Sequence, residues 1–164
     1  MAGTIFRVGA VQVFIGAEDH PPPHVHAQHS SEGWMARFRF SFLSDITGLY
    51  RFKQRGRRPT VAVLDGIADA IMVNLPRCRE AWWHTHGDRH GIGLINRRVE
   101  TRITTAGDGE DALRAKVALK PGLAAVGIVS AAYSPVDRVV TLALADGRTL
   151  RLTAGCHIEE AEEW

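Results

Sequence analysis

Cysteine is scarce in this chain of 164 residues: Cys78 and Cys156 stand far apart and outside any C-x-x-C. Their number and spacing exclude a disulfide framework and a thiolate zinc site, and both read as buried or idle thiols. Long apolar runs are missing as well. Nothing approaches the roughly 20 residues that a membrane helix requires, and the start, M-A-G-T-I-F-R, lacks the basic-then-apolar layout of a signal peptide. The expectation is a soluble globular protein of the cytoplasm with no membrane partner. No G-x-G-x-x-G, Walker loop, G-x-S-x-G or H-E-x-x-H occurs, which argues against the common nucleotide, hydrolase and zinc-protease sites.

Net charge is also small, at +2, too little by itself to imply nucleic-acid binding. Its distribution is uneven. Through residue 58 there are eight Lys/Arg against four Asp/Glu, whereas residues 158–164 hold four acids and no base. An acidic tail of this kind can fold back on a basic patch, although a solvated tail is the simpler reading.

What is present is concentrated in D-H-P-P-P-H-V-H-A-Q-H at residues 19–29, with four of the eight histidines and three of the seven prolines. Proline fixes φ and lacks a backbone donor, so Pro21, Pro22 and Pro23 are expected to form a stiff, extended connector outside any sheet. If a strand resumes at His24, its period of two puts His24 and His26 on one face and Val25 on the other.

Around this stretch the pattern predicts a meander. Residues 4–15 read as one strand with a bulge at Gly9, and residues 24–28 as a short strand. Residues 34–43 alternate, with Trp34, Ala36, Phe38, Phe40 and Phe42 on one face and Arg37, Arg39 and Ser41 on the other. A fourth strand is expected at 49–54. The period then changes: Val61, Leu64, Ala68, Ile71, Met72 and Leu75 recur at helical spacing behind Pro59, predicting a helix over 59–73. Pro76 opens a second helix or kinks the first, with Gly87 as its end. A short helix is expected at 111–119. Strands follow at 126–133, 139–145 and 148–153, the last two joined by Asp146-Gly147 as a type I′ hairpin turn. The fold class is α+β: an N-terminal antiparallel sheet packed against one long or kinked helix over residues 1–104, then a small β-rich unit with a hairpin over 105–164.

Three chemistries compete for the histidines. His84, His86 and His90 form a second group, so His24, His26, His86 and His90 are candidate metal ligands, zinc being the natural ion for imidazole; Asp19 or Asp88 could add a carboxylate or orient a ligand. Alternatively, His24, His26, His84 and His86 serve as acids and bases for cleaving RNA through its own 2′-hydroxyl, which also needs a cation for the developing phosphorane charge. Arg51, Lys53, Arg55, Arg57 and Arg58 would then hold the phosphates, with Tyr50 and Phe52 on the opposite face of the strand. The same basic run equally fits an edge strand kept soluble by charge. A third reading is a non-catalytic module that binds and regulates a protein partner.

The strand followed by D-H-P-P-P-H-V-H, and the helix ending near R-C-R-E-A-W-W, resemble the bacterial domain-of-unknown-function family 4160. Asp19, Pro22, Pro23, His24 and His26 carry its signature, and the likeness spans roughly residues 4–86. The final hairpin with its A-D-G-R turn is similar to domain-of-unknown-function family 2442. This double resemblance implies a toxin–antitoxin or mobile-element context and a fused pair, but brings no catalytic residues with it. The leading expectation is therefore a toxin-like protein that contacts RNA. A protein-binding regulator or inhibitor and a histidine-ligated metal-dependent hydrolase are the alternatives.

Overall fold

In the computed structural model, residues 3–105, 111–118 and 125–160 are described. The chain divides into two compact units: residues 1–41 with 45–93, and residues 42–44 with 94–164. The division falls at 93/94 rather than at the expected 104, because the strand Arg98–Thr105 pairs along its whole length with the strand Asp111–Ala118.

The first unit opens with β1 (Thr4–Val8), β2 (Val11–Phe14), β3 (His24–His29), β4 (Trp34–Phe40) and β5 (Thr47–Gln54), paired antiparallel in chain order. The expected single first strand is instead a hairpin. Gly9 takes a φ of +58°, a conformation that costs glycine nothing, and the chain reverses there. Cross-strand partners share a face, so Val13, Ala27 and Ala36 line up on one side beside Val25 and Phe38, all 1% exposed or less. That side is the core face.

Two helices follow. In α1 (Val61–Val73) the Thr60 hydroxyl caps the first turn by accepting the Val63 N–H at 3.2 Å, so Pro59 lies outside the helix that it was expected to begin. A separate α2 (Leu75–His90) carries proline in its first turn and runs through Gly87 to Gly91. Gly87 does not end the helix; it makes room for the Trp83 ring, which a Cβ there would approach to 2.7 Å. Ile67, Ile71, Leu75, Cys78 and Trp82 are all buried, and Trp82 meets Phe40 edge-on at 6.4 Å.

The second unit is a six-stranded sheet of β6 (Arg98–Thr105), β7 (Asp111–Ala118), β8 (Val126–Ser134), β9 (Val139–Leu144), β10 (Thr149–Thr153) and β11 (Ile158–Glu159). Their order is β10-β9-β8-β6-β7-β11, with β11 parallel to β7. The helix expected at 111–119 is thus a strand. The β9–β10 turn uses positive φ only at Gly147, with Gly147 N–H on Leu144 O and Leu144 N–H on Arg148 O, so it is a three-residue loop with a bulge rather than type I′. The short segment 42–44 belongs here. Phe42 packs edge-on to Tyr133 at 4.9 Å, and Ser44 Oγ donates to His157 O and accepts from Glu159 N–H.

Candidate metal centre

Strand periodicity puts His24 and His26 on the face of β3 opposite the core residues Val25 and Ala27, and both imidazoles are buried. Asp19 reaches them from the loop before the prolines, in which the Pro21–Pro22 bond is cis. Its carboxylate is fixed from behind by the Gly16 N–H, which donates to Oδ2 at 2.6 Å while Asp19 N–H returns to Gly16 O. A side chain on residue 16 would stand 2.9–3.1 Å from that carboxylate and would have to push it aside, so glycine suits the approach.

The hydrogen bonds assign the ring protons. His24 Nδ1 lies 2.9 Å from Pro22 O, and a carbonyl only accepts, so Nδ1 carries a proton. In the neutral ring the Nε2 lone pair then faces Asp19 Oδ1 across 3.4 Å. His26 Nε2 lies 2.9 Å from both Asp19 oxygens and donates to them. Three buried ring nitrogens, His24 Nε2 and His26 Nδ1 in this cluster and His86 Nδ1 on α2, are left with no hydrogen-bond partner. Burial pushes the Asp19 carboxyl up, but the His24 and His26 imidazoles packed against it outweigh burial and hold the group well below the usual carboxylate range.

Asp19, His24 and His26 each offer one ligand atom, and these atoms lie within 4.8 Å of one another. Two imidazoles and a carboxylate suit zinc or ferrous iron. The His24 Nδ1–H bond to a carbonyl is the anchoring that metal-bound histidines use to fix their tautomer.

The second histidine group divides. His86 is fully buried, donates from Nε2 to Gly16 O at 2.9 Å and packs on Trp82 at 4.5 Å. It therefore touches the peptide that holds Asp19, but offers that cluster no ligand atom. His90 lies against His86 and His20 at 5.7 and 5.0 Å. His84 is exposed on the helix and pairs with Glu80. The expected set of four histidines is thus not assembled; Asp19 takes the third place beside His24 and His26. No family model, curated protein or solved structure matches this chain.

Arg51, Lys53, Arg55, Arg57 and Arg58 are all exposed. His26 is opposite Arg37, Arg37 opposite Arg51, and Met35 opposite Lys53, so Arg51 and Lys53 share the histidine face. Tyr50 departs from expectation. The register shifts between Arg37 and Phe38, leaving Tyr50 at a bulge with its ring edge-on to His24 at 5.6 Å. Its hydroxyl hydrogen-bonds with Arg37, and burial raises its pKa. Beside these residues a groove of about 340 Å³ is lined by Gln28, His29, Trp34, Met35, Lys53 and Arg55, among others.

Proposed function

We propose that the first unit is a metal-dependent hydrolase whose ion, zinc by donor chemistry, is held by Asp19, His24 and His26 and takes the place of the proton that His26 Nε2 otherwise gives Asp19. The observation that carries this reading is His24 Nε2: buried, lacking a hydrogen-bond partner, and turned toward the carboxylate that His26 also faces. A lone pair buried opposite a carboxylate is unfavourable unless a proton or a cation lies between them. Three protein ligands leave a fourth position open, as in catalytic rather than structural zinc sites. Zinc bound in this way brings the pKa of a coordinated water to roughly 7. Gly16 N–H and the Pro22 carbonyl keep the ligands oriented, and Tyr50 with Arg37 supplies polar groups beside His24. Elemental analysis of protein purified without a histidine tag should find about one equivalent of zinc or another transition metal, lost in His26→Ala. Protein that is metal-free as isolated and takes up none of the added ion would remove the reading.

A second reading, RNA as the substrate or partner, is favoured by the register that sets Arg37 and Arg51 beside His26 and Lys53 further along the same face. Cations at alternate positions of a strand can follow a phosphate backbone. Replacing Arg51 and Lys53 together by glutamate should abolish retention of single-stranded RNA at moderate salt and flatten the salt dependence by about two phosphate contacts. Unchanged retention would count against RNA while leaving the metal centre standing.

A further inference from the structure

The second unit carries a cavity of about 580 Å³ lined by Glu100, Arg102, Arg114, Lys116, Cys156 and His157, among others. Its cations are arranged against their own stability. In the β6–β7 register Arg102 stands directly opposite Arg114, and Glu100 opposite Lys116. Like charges opposite one another across an antiparallel pair repel, and a sheet gains nothing from placing them so.

The available acids answer only part of this charge. Arg102 pairs with Glu100 at 3.2 Å and Lys116 with Glu160 at 2.8 Å. Arg114 donates one N–H to the Cys156 carbonyl, and among the described residues no carboxylate lies within ion-pair reach of it. Most of its guanidinium fork is left for another acceptor. The wall behind is preorganised: Ala115 is buried, and its N–H is accepted by His157 Nδ1 at 3.0 Å, which leaves Nε2 as the donor of the neutral ring. Ile158 adds an exposed apolar side chain to the lining.

We propose that this cavity binds a small organic oxyanion, its carboxylate or phosphate between Arg114 and Arg102 and its apolar body against Ile158 and the wall at Ala115. An anion shared by two guanidiniums converts their repulsion into charge-assisted hydrogen bonds. The volume falls within the roughly 300–1,000 Å³ of small-molecule sites, more than a bare inorganic ion fills.

The test is a titration of the full chain with phenyl phosphate and, separately, benzoate, followed by the backbone amide resonances of Ala115 and Lys116. Saturable shifts at these amides are expected with at least one probe, the tighter of the two showing whether the site prefers phosphate or carboxylate. Arg114→Gln should weaken that binding by about tenfold or more, and Arg102→Gln should do the same if Arg114→Gln disturbs the fold. Absence of saturable shifts with both probes, or undiminished affinity in both variants, would overturn the assignment. So would a short single-stranded oligonucleotide that moves the same amides at lower concentration than either probe.

Discussion

The two units treat charge in opposite ways. The first half-buries an acid and closes two buried histidines around it, with polar atoms committed to named partners at 2.6–2.9 Å. The second leaves its cations at the surface and tolerates two arginines face to face. The difference follows from dielectric. A charge removed from water is costly unless paired, so each buried polar group must be placed, and the three imidazole nitrogens without partners stand out. At the surface, solvent screens the repulsion, and a cluster of like charge survives at little cost. A buried site therefore announces itself by what is unsatisfied, and an exposed one by what is unbalanced.

The largest expected effect tests that contrast directly. Asp19→Ala removes the only carboxylate shared by His24 and His26 among the described residues, leaves the buried His26 Nε2–H without an acceptor, and should cost about 1–3 kcal/mol of stability. Arg114→Gln, at the exposed end of the comparison, should stay within about 0.5 kcal/mol of the parent. Denaturant midpoints measured with chelator present, so that metal binding does not contribute, check both. Similar losses in the two variants would erase the distinction between a buried and a screened site.

How much of this was legible in the sequence also differs between the units. Alternation from Trp34 to Phe40 gave β4 and its core face, and the period of two placed His24 and His26 together. The central place of Asp19 was less visible, because it depends on a turn in which Gly16 both approaches the carboxylate and donates to it. Grouping the histidines by sequence spacing overstated their proximity: one helix turns His84 to solvent and His86 to Gly16. Tyr50 lies off the face that strict alternation predicts for it, because the strand carries a bulge there. In the second unit, A-L-R-A-K-V-A at 112–118 is rich in good helix formers and read as a helix, yet pairing with β6 and β11 makes it a strand. The opposition of Arg102 and Arg114 exists only in the strand pairing, which a helical period does not imply.

A smaller effect sharpens the contrast within the second unit, where His157 is the one buried ionisable group among the described residues lining the cavity. Burial, helped by Arg114, lowers its pKa, and its unprotonated Nδ1 is what accepts the Ala115 N–H. In the unfolded chain the same ring titrates at its ordinary value of about 6.5. The unfolded state therefore binds a proton that the folded state refuses: stability from this group is complete above about pH 6.5 and is lost as pH falls through the lowered folded pKa. Amide exchange at Ala115, compared at mildly acidic and neutral pH, should show local protection falling with acid. His157→Asn keeps an acceptor without a titration and should flatten that dependence; an unchanged slope would assign it to other groups. Arg114→Gln supplies the finer check. Removing that charge brings the folded pKa of His157 closer to its unfolded value, so this variant should lose less protection in acid than the parent does. The exposed arginine and the buried histidine would then be coupled through one cavity, and an anion seated against Arg114 should reduce the acid sensitivity in the same direction.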